Sequence, residues 1–226
     1  AARVIVAQVE DGESCAPCTG SLVVPSSGAL VNGEYYYARV FAYNPIGYSL
    51  PQTAFSPEKP MTVPGLPTSV TIETVSSSEL RVYFSPPSAD GGDDVTGYLI
   101  EWATAADFSN ALNATFSYLD GGAPFTRKIE GLTQGTFYYV RVRAANSQGY
   151  GDAQVSTPSS LNPYEESSAP TGVALGVTSD TMLTVSFASP EDDGGDAVTA
   201  YLVEWDTMSH FNSLSASPHK GAVELD

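Results

Sequence analysis

Hydrophobic and polar side chains alternate most regularly in residues 132–151, which read LTQGTFYYVRVRAANSQGYG. Tyr138, Val140 and Val142 recur at every second position, and aromatic and arginine side chains fill the positions between them. A period of two with β-branched and aromatic residues is typical of a strand with one buried face. The pattern therefore predicts a strand over residues 137–146, with a turn before it and a loop after it.

The same pattern occurs once earlier in the chain. Residues 30–49 read LVNGEYYYARVFAYNPIGYS and match residues 132–151 at an offset of 102, so that Tyr36 corresponds to Tyr138. The asparagine-glycine turn at Gly33 is again followed by an alternating stretch, which predicts a strand over residues 35–43. Two copies of one strand and turn indicate an internal repeat.

A second pair of segments repeats at nearly the same distance. Residues 67–102 and 170–205 align without a gap at an offset of 103, so that Trp102 corresponds to Trp205. Two different segments with one period indicate β domains of about 100 residues. Their order along the chain predicts one complete domain between two partial ones.

Proline-rich segments mark the boundaries between these units. Residues 56–67 hold four prolines, and a second segment rich in Pro, Ser and Glu covers residues 157–170. Proline cannot donate a hydrogen bond to a strand ladder, so both segments are predicted to be extended linkers. We predict a partial domain at 1–63, a complete all-β sandwich at 64–163 and a second partial domain at 164–226.

The central copy contains an ordered set of mainly apolar, glycine and proline positions: Pro67, Val70, Leu80, Val82, Phe84, Pro86, Pro87, Gly91, Gly92, Gly97, Tyr98, Ile100, Trp102, Gly131, Leu132, Gly135, Thr136, Tyr138, Val140, Val142, Ala144, Asn146 and Gly149. The last unit is predicted to end in an irregular stretch. The order of these residues resembles the fibronectin type III family, and the resemblance covers nearly the whole chain. It implies tandem immunoglobulin-like β-sandwiches, with about strands E to G in the first unit, A to G in the central one and A to C in the last.

The resemblance also implies structural roles for several aromatic residues. Tyr36 and Tyr138 are expected to form tyrosine corners, in which each hydroxyl bonds backbone just upstream. Phe84 and Phe187 stand where the family usually has tryptophan on strand B, and phenylalanine buries a similar apolar area. Trp102 and Trp205 are the equivalent structural residues of strand C.

The charge balance limits the classes of partner. The chain has 26 acidic and 9 basic residues and a net charge of −17. Nucleic-acid binding needs clustered Lys and Arg, and anionic membrane surfaces attract the same residues, so neither partner is expected. No apolar run approaches the ~20 residues that cross a bilayer, so no membrane insertion is predicted.

Four exposed side chains are the candidate interaction surface. Tyr139 and Arg141 lie on the outer face of the strand predicted over residues 137–146. Tyr150 lies in the loop after this strand, and Tyr48 lies in the equivalent loop after the strand predicted over residues 35–43. Tyrosine and arginine are common at protein-binding hot spots. The alternatives are structural: Arg141 pairs with Glu101 on the neighbouring strand, and the two loop tyrosines pack on a linker or on the next domain.

Two acidic loops are candidates for weak calcium binding. Residues 90–94 read DGGDD and residues 191–196 read EDDGGD. Carboxylates are the ligands that calcium prefers, but the spacing is not that of an EF-hand. Aspartate and glycine are also ordinary turn residues, and the turn interpretation is favoured. No metal site and no cofactor is assigned.

The cysteines and one asparagine bear on location. Cys15 and Cys18 are too few for a four-ligand zinc site, and no helix is expected to activate them, so a disulfide or two unreactive thiols are predicted. Asn113 begins a glycosylation sequon, Asn-Ala-Thr. An extracellular or cell-surface location is expected, with a cytoplasmic one as the alternative.

Catalysis has no candidate residues in the sequence. His210 and His219 are the only histidines, and neither lies near a nucleophile motif. The resemblance implies a non-enzymatic spacer and protein-interaction or adhesion segment of a larger protein, with a protein or glycan partner. The alternatives are an accessory segment of a secreted enzyme and an intracellular scaffold.

Overall fold

The computed structural model describes residues 30–117, 123–214 and 219–225, and in these residues all regular structure is β. The first unit holds four short strands: β1 (Arg39–Val40), β2 (Tyr43–Asn44), β3 (Gly47–Tyr48) and β4 (Gln52–Thr53). The central unit holds β5 (Thr68–Ser76), β6 (Glu79–Ser85), β7 (Gly97–Ala103), β8 (Leu112–Ser117), β9 (Phe125–Ile129), β10 (Tyr138–Asn146), β11 (Gly149–Tyr150) and β12 (Gln154–Leu161). The last unit holds β13 (Thr171–Ser179), β14 (Met182–Ala188), β15 (Tyr201–Asp206) and β16 (Lys220–Leu225).

The central unit is a β-sandwich. One layer has the order β5-β6-β9 and the other the order β8-β7-β10-β12, with antiparallel neighbours throughout each layer. Strands β12 and β5 also meet in parallel, at Thr157 and Thr71, so the two layers join along one edge. This arrangement confirms the predicted all-β, immunoglobulin-like fold class.

The core lies between the two layers and follows the alternation of the sequence. Leu80, Val82 and Phe84 of β6 are fully buried, and Val140 and Val142 of β10 face them from the other layer, also fully buried. Every second residue of β6 is buried and its neighbours are partly exposed, as a strand with one core face requires.

Aromatic rings fill the middle of this core. The ring of Phe84 lies 4.9 Å from that of Tyr98 and 5.5 Å from that of Phe125, measured between centroids. Trp102 is partly buried and packs against the same cluster. Phenylalanine therefore fills the position on strand B with a tilted three-ring contact of the kind that stabilises cores beyond its buried area.

The strand predicted over residues 35–43 of the first unit is wrong in its length. Only β1 and β2 form there, two residues each, with β1 paired to β4 and β2 paired to β3. In the central unit the equivalent strand β10 has β7 on one side and β12 on the other. Among the described residues β1 has a neighbour on one side only, so the ladder that would extend it is missing.

The last unit contains β13–β14 and β15–β16 as separate antiparallel pairs. The predicted irregular end is wrong, because β16 pairs with β15 along its length, with Trp205 opposite Gly221. A Cβ at residue 221 would collide with the indole of Trp205, so glycine is needed where the ring crosses the strand. Glycine is uncommon in strands, which is why the sequence pattern did not reveal this one.

Candidate interaction surface

The outer face of β10 brings two arginines to one carboxylate. In the register of β7 and β10, Arg141 lies opposite Glu101 and Tyr139 lies opposite Ala103. Alternate residues of a strand share a face, so Tyr139, Arg141 and Arg143 all project on the side of Glu101. The sequence expectation that Glu101 and Arg141 pair across the strands describes this geometry.

Glu101 accepts three hydrogen bonds from the arginines. Arg141 Nε and Nη2 donate to its two oxygens at 2.8 and 2.9 Å, and Arg143 Nε donates at 3.0 Å. The side chain of Glu101 is 14% exposed and those of Arg141 and Arg143 are 23% and 27% exposed. The bonds from Arg141 and then from Arg143 lower the pKa of the Glu101 carboxyl, against the opposing effect of burial.

Phe108 is part of this surface, although no pattern in the sequence predicted its position there. The guanidinium carbon of Arg141 lies 4.1 Å from the centroid of the Phe108 ring, within the range of a cation–π contact. Phe108 has a φ of +58°, and its equivalent in the last unit, Phe211, has a φ of +51°. A left-handed bulky residue is uncommon, and its recurrence in two units marks a feature of the repeat.

These contacts fix Arg141 between a carboxylate and an aromatic ring. A side chain whose guanidinium is already held in place loses little conformational entropy when it binds a partner, so this surface is preorganised. Tyr139 continues the same face and is partly buried. The four residues Glu101, Phe108, Tyr139 and Arg141, with Arg143, are called the strand-F face below.

The two loop tyrosines differ in their surroundings. Tyr150 is 48% exposed and lies opposite Ala145 across the β10–β11 hairpin. Tyr48 is 52% exposed and lies opposite Tyr43, with the two ring centroids 4.8 Å apart. Tyr150 therefore lies opposite an alanine, whereas Tyr48 lies opposite a second aromatic ring, and the two tyrosines are exposed to a similar extent.

In each acidic loop an aspartate binds a backbone amide of its own loop. Asp90 Oδ1 accepts from the Gly92 amide at 2.7 Å, and Asp193 Oδ1 accepts from the Gly195 amide at 2.9 Å. Bonds from an aspartate to the amide two residues on are typical of Asx turns. In the described ranges no group of three or more His, Cys, Asp or Glu is arranged to hold a metal ion.

The tyrosine hydroxyls lie where the family resemblance implies. Tyr138 accepts a hydrogen bond from the Thr133 amide at 3.1 Å, and Tyr36 accepts one from the Val31 amide at 2.8 Å. In the last unit Phe187 packs at a centroid distance of 4.8 Å against Tyr201, and Trp205 is 42% exposed.

The remaining sequence candidates lie apart from the strand-F face. Asn113 is exposed on the edge strand β8, so the sequon is accessible. Cys15 and Cys18 lie outside the described residues. His210 and His219 are both exposed. In the part of the chain that the structure describes, no helix is long and apolar enough to cross a membrane.

Comparison with known proteins identifies the central unit. Residues 65–161 match a family model described as "Fibronectin type III domain". The chain is 30% identical over 186 residues to chicken myosin-binding protein C, fast-type, an alignment that covers 82% of this chain and 15% of that protein. It is 36% identical over 100 residues to human ankyrin repeat and fibronectin type-III domain-containing protein 1, which covers 44% of this chain and 9% of that protein.

Two solved structures align with part of this chain. Domains A168–A170 of titin align over 61% of this chain and 44% of that chain, with 22% identity and a TM-score of 0.43. The FN1–FN3 domains of chicken CNTN1 align over 59% of this chain and 44% of that chain, with 27% identity and a TM-score of 0.39. The curated relatives do not support the extracellular location expected from the sequence.

Proposed function

We propose, from the membership of residues 65–161 in the fibronectin type III family, that the chain is a non-enzymatic spacer and protein-interaction segment. The proposal includes the organisation predicted from the sequence, a complete repeat at 64–163 between partial repeats at 1–63 and 164–226. Matching sequences at offsets of 102 and 103 support that organisation. The chain covers only 9% and 15% of the two relatives described above, so the activity of a whole protein does not follow from them.

The observation that carries the interaction function is the fixed position of Arg141. Its guanidinium is held by Glu101 and stacked on Phe108, and Tyr139 extends the same face. Aromatic residues and arginine that are rigid before binding are what hot spots of protein interfaces contain. Tyr150 supplies an exposed aromatic side chain on β11, which pairs with the end of β10.

The test is a binding assay with the full chain immobilised against candidate protein and glycan partners. We expect Tyr139→Ala and Tyr150→Ala each to weaken a specific interaction by at least about 10-fold, as truncation of hot-spot residues does. The matched control is Tyr83→Ala, because Tyr83 is a partly exposed tyrosine on β6, in the opposite layer. Equal loss in all three variants, or no specific partner for the wild-type chain, would overturn the interaction function.

The second candidate is an intracellular scaffold that binds another protein. One relative binds myosin, as its name states. Cys15 and Cys18 separate this candidate from a secreted one, because cytosolic thiols stay reduced and secreted ones pair. We expect a scaffold isolated from its own cells to give two titratable thiols, and a secreted segment to give none.

A further inference from the structure

Each acidic loop is bonded to the proline-rich linker that precedes its own repeat. In the first junction the Thr62 amide donates to the Gly91 carbonyl and the Gly65 amide to the Ala89 carbonyl, both at 2.9 Å. These bonds join the linker of residues 56–67 to the loop of residues 89–94. The side chain of Asn146 donates to the carbonyl of Thr62 at 2.8 Å and so holds the linker to the end of β10 as well.

The second junction repeats both backbone bonds between linker and loop. The Glu165 amide donates to the Gly194 carbonyl at 2.8 Å, and the Ser168 amide donates to the Asp192 carbonyl at 2.9 Å. These donors and acceptors are the residues that lie 103 positions after those of the first junction. At this offset the two linkers share little sequence beyond the pairs Pro60–Pro163 and Pro67–Pro170, so the backbone geometry is retained although most side chains differ.

The preceding repeat is hydrogen-bonded to the same linker through a turn glycine. In the first junction the Gly33 amide donates to the Pro60 carbonyl at 3.0 Å, and in the second the Gly135 amide donates to the Pro163 carbonyl at 2.9 Å. A side chain from the linker then reaches the second loop glycine. Lys59 Nζ donates to the Gly92 carbonyl at 2.8 Å in one junction. Asn162 Nδ2 donates to the Gly195 carbonyl at 2.8 Å in the other, 103 positions on.

The contact between repeats is mainly backbone against backbone, and in the second joint the Gln134 side chain adds a hydrogen bond from its Nε2 to Asp192 Oδ1 at 3.0 Å. A Cβ on Gly92 would collide with the amide nitrogen of Gly33, and a Cβ on Gly195 would lie 2.8 Å from the amide nitrogen of Gly135. Both loop glycines also have a φ of +85°, which favours glycine independently. Glycine at the second position of the loop therefore allows the two repeats to approach this closely.

We propose that the turn glycine, the linker and the Gly-Gly loop form one joint, which fixes the direction of each repeat relative to the one before it. The central unit contributes its Gly-Gly loop to the first joint and its turn glycine, Gly135, to the second. Its two ends are therefore complementary to each other, so the partner that each end fits is another repeat of this kind. An array with identical joints is a stiff rod with a constant rotation per repeat. The inference rests on the proposed spacer function and gives it a mechanism.

The joint also accounts for the acidic loops without calcium. Asp90 and Asp193 each hold the second loop glycine through its amide. The loop is thereby shaped for the preceding repeat, and the carboxylates are used as turn residues.

The experiment compares Gly92→Ala with Gly131→Ala in the full chain. Gly131 has a φ of +72°, so alanine is strained there too, but a Cβ at this position meets nothing within 4 Å. Residual dipolar couplings of backbone amides report whether residues 36–58 and the central unit align as one body. We expect one alignment tensor for both units in the wild-type chain and in Gly131→Ala, and two different tensors in Gly92→Ala. In Gly92→Ala the Gly33 amide should also exchange its hydrogen at least about 10-fold faster than in the wild-type chain.

Gly195→Ala tests the second joint in the same way, with residues 171–206 as the reporter. Independent alignment of the flanking units in the wild-type chain would overturn the proposal, and so would Gly92→Ala and Gly131→Ala giving the same couplings. The failure of the interaction function is a separate result, because it would appear as loss of partner binding with the alignment intact.

Discussion

The central unit and the flanking units use the same residues in different surroundings. Leu80 is fully buried in β6, whereas its equivalent in β14, Leu183, is 60% exposed. Val142 is fully buried in β10, whereas its equivalent in the first unit, Val40, is 72% exposed. An alternating pattern therefore specifies which face of a strand is apolar, but a second layer is needed to bury that face.

The largest expected difference between the units is the cost of removing one leucine side chain. Leu80→Ala should destabilise the central unit by about 2–5 kcal/mol, because it leaves a cavity in a packed core. Leu183→Ala should change stability by no more than about 0.5 kcal/mol, since its side chain is mostly exposed. Urea unfolding of the full chain, monitored by hydrogen exchange of the amides in β6 and β10 for Leu80→Ala and of those in β13 and β14 for Leu183→Ala, measures the two effects separately.

The two leucine variants also control each other. They carry the same substitution at equivalent positions of two homologous strands, so propensity and unfolded-state effects cancel in the comparison. A loss of more than about 2 kcal/mol in Leu183→Ala would mean that the last unit buries this face in solution, and the contrast between the central and last units would fail.

The fold was predictable because its signals are local and repeated. Alternation in β6 and β10 gave the strands and the buried face of each. The offset between the repeats gave the domain period without any tertiary information. The strand over residues 35–43 was predicted at full length, because the sequence pattern does not show whether a neighbouring strand is present to extend it. Strand β16 was missed because it begins Lys220-Gly221, which is not a typical strand sequence.

The candidate surface was predictable only in part. Cross-strand pairing put Glu101 beside Arg141, since strand C neighbours strand F in this family. Phe108 could not be placed, because a positive φ in a loop has no sequence signal for a residue other than Gly, Asn or Asp. The joint between repeats was also missed, since Gly-Gly with aspartate is an ordinary turn composition and only the structure shows what approaches it.

The tyrosine corner gives a smaller difference between the units. Tyr138→Phe removes the hydroxyl that accepts from the Thr133 amide, and it should cost the central unit about 1 kcal/mol, the net value of one such hydrogen bond. Tyr36→Phe removes the equivalent bond to the Val31 amide and should leave the unfolding midpoint of the central unit unchanged. A shift of the central midpoint in Tyr36→Phe would indicate that the first unit stabilises the central one.

The strand-F face should give the smallest effect, and it should depend on pH. The first copy has no equivalent of the Glu101 cluster among the described residues: Arg39, which corresponds to Arg141, lies 5.3 Å from the ring centroid of Phe41. Because the folded pKa of Glu101 is lowered, its contribution to stability is present above the unfolded pKa and is lost as pH falls through the folded pKa.

Glu101→Gln should therefore lower the unfolding free energy of the central unit by up to about 1 kcal/mol at neutral pH, as loss of an ion pair near the surface does. The gap from wild type should close as pH falls below the folded pKa, because the wild-type carboxyl is then also neutral. Glu79→Gln is the control. Glu79 pairs at 2.8 Å with Lys128, which is 44% exposed, so the difference in unfolding free energy between this variant and wild type should be small. A Glu101→Gln gap that stayed constant down to about pH 2 would show that Glu101 acts through its shape and hydrogen bonds, because a contribution from its charge must vanish on protonation.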